Sequence, residues 1–173
     1  MASVLSVLLE YDFDKMVSVS GFGAKPNKDK VSHCFNLSQL LGNPQENVQG
    51  IQNVFELYAK SIEKMEFHGP TFFEPILLKT FNDFKAQVKL NPKHYSVLLI
   101  LTDGVIHDMD ETIELLAQNS KNCGVSIIIV GIGKEDFTIM KQLDGDNKAL
   151  VSESGKKVER DLIQFVEWSK FES

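Results

Sequence analysis

Tyr95-Ser-Val-Leu-Leu-Ile-Leu-Thr-Asp103-Gly104 is the stretch on which the reading of this chain turns. Val97 to Leu101 are consecutive apolar residues with no polar residue alternating between them. Such a run predicts a strand covered on both faces, as in the middle of a parallel α/β sheet. It stops abruptly at Thr102-Asp103-Gly104, and an acidic helix is predicted to follow. Ligands of open α/β sheets collect beyond the carboxyl ends of the strands, so Asp103 stands where a functional carboxylate belongs. A plain turn or cap is the competing role for it.

Downstream, Asp108-Met-Asp-Glu111 starts a helix carrying Ile113, Leu116 and Ala117. Acidic residues at a helix start complement its dipole, and that reading is preferred to a metal cluster of His107 with Asp108. Val125-Ser-Ile-Ile-Ile-Val-Gly131 predicts a second buried strand. A short helix over Lys134 to Leu143, a turn at Asp144-Gly-Asp-Asn147, a weak strand at Ala149 to Ser152 and a last helix over Val158 to Trp168 complete this half. Upstream, Val4, Leu5, Leu8 and Leu9 recur at helical spacing, and Met16 to Gly23 alternates like a strand closing on a glycine turn. A polar loop over Lys25 to Lys30 and a short strand over Val31 to Asn36 follow. A helix from about Val48 to Met65 places Ile51, Val54, Phe55, Tyr58 and Ile62 on one face. The next helix has Pro75 in its first turn and turns Ile76, Leu77, Phe81 and Phe84 inward. Strands alternating with helices imply a doubly wound α/β domain with a largely parallel sheet.

The 173 residues suit one domain, and a hydrophobic content of 43% is ample for a core. A net charge of -6 argues against electrostatic nucleic-acid binding. Two cysteines, Cys34 and Cys123, make no disulfide framework and point to a reducing compartment. The apolar start lacks a basic leader region and runs into Glu10, Asp12 and Asp14, so it does not read as a signal peptide. Several motifs fail. Gly131-Ile-Gly133 follows a strand, but Asp136 stands where the dinucleotide fingerprint needs its third glycine. No phosphate-binding P-loop, calcium loop or nucleophile elbow is found.

Five blocks occur in order: Gly69-Pro-Thr71-Phe-Phe-Glu-Pro75, Leu99 to Ile106, Ser126 to Gly133, Leu143-Asp-Gly-Asp146 and Arg160 to Val166. With Gly21-Phe-Gly-Ala24 and Lys30-Val-Ser-His33, they resemble the C-terminal domain of copines, a divergent von Willebrand factor A domain. The resemblance implies a Rossmann-like sheet with a metal-ion-dependent adhesion site at its carboxyl edge. It also implies relatives that respond to calcium and bind phospholipid through two C2 domains, while the A domain recruits protein partners.

In A domains the metal is held by an Asp-x-Ser-x-Ser loop, a threonine from a second loop and an aspartate from a third. Thr71 matches the threonine and Asp103 the aspartate. Asp-x-Ser-x-Ser is absent, and Asp14, Ser18 and Ser20 have the wrong spacing. The expectation is therefore a single copine-type A domain over residues 1–173, incomplete at its N-terminus, with no C2 domain and without the family's first, central strand. Its metal site is reduced to Thr71 and Asp103, which would bind Mg²⁺ or Mn²⁺ weakly, since a small hard cation wants near-octahedral oxygen coordination. The expected role is non-catalytic protein interaction in the cytoplasm. Partners are intracellular proteins, not nucleic acid, and membranes are met only through C2 domains absent here. Without the central strand, the Met16 and Tyr95 strands pair directly or leave apolar edges that promote self-association. The rival readings are a Mg²⁺-dependent phosphoryl-transfer enzyme using Asp103 and a regulatory fragment competing with full-length copines.

Overall fold

In the computed structural model, which describes residues 2–145 and 149–171, the chain divides between Pro70 and Thr71 into two units. The N-terminal unit opens with α1 (Ala2–Glu10). Leu5 and Leu9, one turn apart, are buried and cluster with Val54. Three short strands follow, β1 (Met16–Ser18), β2 (Ser20–Gly21) and β3 (Ala24–Pro26), then β4 (Phe35–Asn36), α2 (Leu37–Leu40), β5 (Asn47–Gln49), α3 (Gly50–Ile62) and β6 (Met65–Phe67). The strands form antiparallel pairs, β1 with β5, β2 with β4 and β3 with β6.

The single strand predicted over Met16 to Gly23 is therefore broken, because the chain changes partner every few residues. The Val19 carbonyl, between β1 and β2, accepts from the Leu37 amide at 2.9 Å. Gly23, at φ 62°, supplies the expected glycine turn before β3. The helix predicted over Val48 to Met65 loses both ends to β5 and β6. Its buried stripe is Val54, Leu57 and Ser61, while Tyr58 and Ile62 are exposed. Leu57 packs with Ala24, Leu37 and Met65, a contact set assembled from four elements that helical periodicity alone does not register. Helix α2 was not foreseen. Its cap is Asn36, whose Oδ1 accepts from the Gln39 amide at 3.1 Å.

The C-terminal unit alternates helix and strand: α4 (Glu74–Leu90), β7 (Ser96–Thr102), α5 (Met109–Asn119), β8 (Val125–Gly131), α6 (Thr138–Leu143) and β9 (Ile163–Glu167), closing on a 3₁₀ turn at Trp168–Lys170. Pro75 lies in the first turn of α4, and Ile76, Leu77, Phe81 and Phe84 are buried as predicted. On α5 the buried set is Thr112, Leu115 and Leu116. The sheet is parallel, in the order β7-β8-β9, with Thr102 in register with Gly131 and Gly131 with Glu167.

Two expectations change here. The central, enclosed strand of this sheet is β8, not β7. β7 pairs with β8 alone, and Val97 is 47% exposed. An apolar run reports contact with apolar surroundings but not position within the sheet. The helix predicted over Val158 to Trp168 is instead β9. Leu162, Phe165 and Val166 fit a helical stripe, but Ile163, Phe165 and Glu167 also fit alternation. The open edge of β8 decides between them, since its backbone groups need a neighbour. Ala149 to Ser152 reduces to one bridge, Val151 with Lys157, and the turn's Asp146 and Asn147 lie outside the described residues. The α/β class and the parallel pairing of this unit are as expected and compatible with an A-type fold, while the pairs of the N-terminal unit are antiparallel. Cys34 and Cys123 carry thiols, and burial pushes the Cys123 thiol up.

Candidate functional site

β7 ends at Thr102, which is buried. The Ile132 amide donates to the Thr102 carbonyl at 2.8 Å, so the ladder with β8 runs on past the strand end. Asp103 emerges directly after it and is exposed. Among the described residues its carboxylate takes part in no hydrogen bond or ion pair. Thr71, at the start of the same unit, is half-buried, and its hydroxyl is likewise uncommitted.

The loops carrying these residues are tied together by the two residues that follow the β7 turn. The His107 amide donates to the Thr71 carbonyl at 2.9 Å, and the Thr71 amide donates to His107 Nδ1 at 3.2 Å. Nδ1 also lies 3.4 Å from the Thr71 carbonyl, so the ring meets both backbone groups of Thr71. Asp108 is buried. Its Oδ1 accepts from the Phe73 amide at 3.0 Å and its Oδ2 from the Glu74 amide at 2.7 Å. These are the amides of the N-cap residue and of the first residue of α4, whose own N-cap side chain makes no capping bond. Asp108 thus places its negative charge at the positive end of α4. From sequence alone Asp108 is expected to serve the helix it precedes, α5, because a carboxylate at a helix start carries no mark of which helix it serves.

The donor set is poor for a divalent cation. Thr71 and Asp103 offer two oxygen-bearing side chains, and both carboxylate oxygens of Asp108 are spent on backbone amides. No group of three or more His, Cys, Asp or Glu side chains suited to a metal occurs among the described residues. Asp14 and Ser18 are engaged within the N-terminal unit, with the Met16 amide at 3.0 Å and Asn36 Nδ2 at 3.4 Å respectively. The protein donors present do not by themselves fit a hard cation that takes six oxygens.

One carboxylate was missed because β9 was read as a helix. Glu167 ends β9 in the register row of Thr102 and Gly131, two strands and so about 10 Å from the end of β7. Its Oε2 lies 3.0 Å from Lys141 Nζ and 3.3 Å from Lys170 Nζ. Lys141 first, then Lys170, holds this carboxyl below its usual range. Alternation through Ile163, Phe165 and Glu167 was the signal that could have found it. The glycines of Gly131-Ile-Gly133 have structural causes. A Cβ at Gly131 would stand 2.8 Å from the Phe137 ring, and Gly133 has φ +100°.

A protein-family model described as Copine matches residues 1–173, across both units. The chain is 41% identical over 171 residues to Copine-C of Dictyostelium discoideum, covering 99% of the chain and 31% of that relative. Similarity to Copine-D of the same organism is 38% over 174 residues, with 100% and 32% covered. For Copine-E it is 37% over 171 residues, with 99% and 29% covered. The chain spans about 30% of the length of these curated relatives.

Proposed function

The chain belongs to the copine family, and from that premise we propose that it is a non-catalytic protein-interaction module whose contact edge is the carboxyl end of β7 around Thr71 and Asp103. One observation supports this reading above others. Thr71 and Asp103 keep an uncommitted hydroxyl and carboxylate at the place where α/β sheets take their ligands, while His107 and Asp108 beside them are spent on holding the loops. Such an edge can recruit a partner without chemistry. Metal, where it takes part, is weakly held, with partner or water oxygens completing the coordination. The family resemblance assigns calcium-dependent phospholipid binding to C2 domains, so membrane contact of this module is indirect and its place is the cytoplasm. No helix among the described residues is long and apolar enough to cross a membrane.

The rival is Mg²⁺-dependent phosphoryl transfer through Asp103. It needs further carboxylates or a lysine converging on the same point. Glu167, Lys141 and Lys170 are engaged with one another at the end of β9. Two measurements separate the readings. A phosphoester screen with Mg²⁺ should show no turnover, and calorimetry should give millimolar affinity or weaker for Mg²⁺ and Mn²⁺. Phosphate release or micromolar metal binding that disappears in Asp103→Ala would sink the proposal.

A further inference from the structure

Between Leu150 and Val158 the chain doubles back on itself beside α5. The Ser152 amide donates to the Lys156 carbonyl at 2.9 Å, and the Val158 amide to the Leu150 carbonyl at 3.0 Å. Val151 bridges Lys157, and Gly155, at φ 81°, shapes the tip. Its amide donates back to the Ser152 carbonyl at 2.9 Å. Ser152 is buried, and its Oγ accepts from the Lys156 amide at 3.2 Å. Ser154, two residues on, is exposed. Its hydroxyl donates to Glu114 Oε2 at 2.7 Å, and Lys156 Nζ lies 3.4 Å from Glu114 Oε1. One carboxylate of α5 therefore holds the tip, through one hydroxyl and one ammonium.

Ser154-Gly-Lys156-Lys157 is the one place in the chain where a serine or threonine is followed within three residues by two basic side chains. Both lysines are exposed, and among the described residues Lys157 enters no ion pair. Protein kinases choose their substrates by charge pattern, and an acidic substrate groove fits a hydroxyl with basic residues behind it. Exposed tips held by few contacts also open locally at little cost, which lets such a segment extend into the groove. The hydroxyl that would be modified is the one that fastens the turn to Glu114.

We propose that Ser154 is a phosphorylation site for a kinase that selects basic residues, and that its phosphate releases the turn from α5. In the transfer, Ser154 Oγ attacks the γ-phosphorus of ATP and the bond from that phosphorus to the departing ADP oxygen breaks. The kinase's base takes the hydroxyl proton. The product has no proton to donate to Glu114, and it sets a charge of about −2 beside that carboxylate. Lys156 then stands between two anions, of which the phosphate carries the larger charge. Incubation of the chain with Mg²⁺, ATP and a kinase selective for basic residues at the second and third positions after the acceptor should place a phosphate on Ser154. Mass spectrometry should find none in Ser154→Ala. Lys157→Glu should slow the transfer about tenfold by setting a like charge against the groove. Glu114→Gln should hasten it, because a neutral amide holds the hydroxyl less firmly than a carboxylate. Hydrogen exchange reads the release. After phosphorylation the amides of Ser152, Gly155 and Lys156 should exchange about tenfold faster, while those of Val125–Gly131 stay as they were. Ser154→Asp should show part of the same loss without a kinase, and phosphorylation of Glu114→Gln should change exchange little, since the repelling charge is gone. A chain that takes no phosphate on Ser154 overturns the proposal. So does unchanged exchange after phosphorylation, or slower exchange, which would mean that the phosphate clamps the turn through Lys156 and Lys157.

Discussion

Asp103 and Asp108 are the same residue type, five positions apart, and the fold gives them opposite tasks. Asp108 is buried and satisfies two amides of α4, whereas Asp103 is exposed and holds nothing among the described residues. Asp108→Ala would leave a buried amide, Phe73, and a part-buried one, Glu74, without their acceptor and should cost about 2 kcal/mol in urea unfolding. Asp103→Ala should stay within about 0.5 kcal/mol of the parent. An equal loss for the two would return Asp103 to the turn-capping role and remove it from the contact edge. Thr71 and Asp103 were legible as candidates from their motifs. The ties through His107 and Asp108 were not, since each crosses more than thirty residues of sequence.

At the scale of elements, β7 and β9 show how far hydrophobic pattern reaches. β7 was read correctly as a strand and incorrectly as a central one, while β9 was read as a helix. Both errors come from pairing, which depends on where other strands lie. Asp144 is the element-level device that defends β9, accepting from the Phe165 amide and, at 3.5 Å, from Gln164 Nε2. Asp144→Ala should destabilise the chain by about 1–3 kcal/mol, because the Phe165 amide is buried and would lose its acceptor. Asp144→Asn keeps an acceptor oxygen and should be milder. Denaturant midpoints of the two variants check this, and equal losses would show that the hydrogen bond to Phe165 is not what Asp144 supplies.

For the molecule as a whole, acid is the condition that acts on many of its local ties together. Glu114 on α5 accepts from Gln118 at 2.9 Å, from Ser154 at 2.7 Å and from Lys156 at 3.4 Å, fastening the turn near Gly155 to the helix. Those bonds, Gln118 first, lower its pKa from 4.5 to about 2. Asp136, through the Thr138 hydroxyl, and Glu167, through Lys141, are shifted the same way. A carboxyl lowered on folding stabilises fully above its unfolded value, and that contribution is lost as pH falls through the folded one. For Glu114 the loss should run from about pH 4.5 down to about 2. Melting temperatures across this range should fall less steeply in Glu114→Gln. An unchanged slope would mean that the exposed cluster contributes nothing measurable.

By itself the sequence determined what local chemistry specifies: the α/β class, the α4 face built from Ile76, Leu77, Phe81 and Phe84, the strands at Ser96 and Val125, and a family resemblance carried by ordered blocks. Its motifs also offered Thr71 and Asp103 as the candidates on which the proposed contact edge rests. Only the tertiary structure decided which strand is enclosed and which is an edge, which helix Asp108 caps, and that Ile163 to Glu167 extends a sheet. It alone decided that Met16–Ser18 and Ser96–Thr102 enter separate sheets. The physical reason is common to all of these. Side-chain spacing encodes which faces of an element avoid water, but a backbone N–H or C=O is the same group in every residue, and its partner is chosen by whatever the rest of the chain brings beside it.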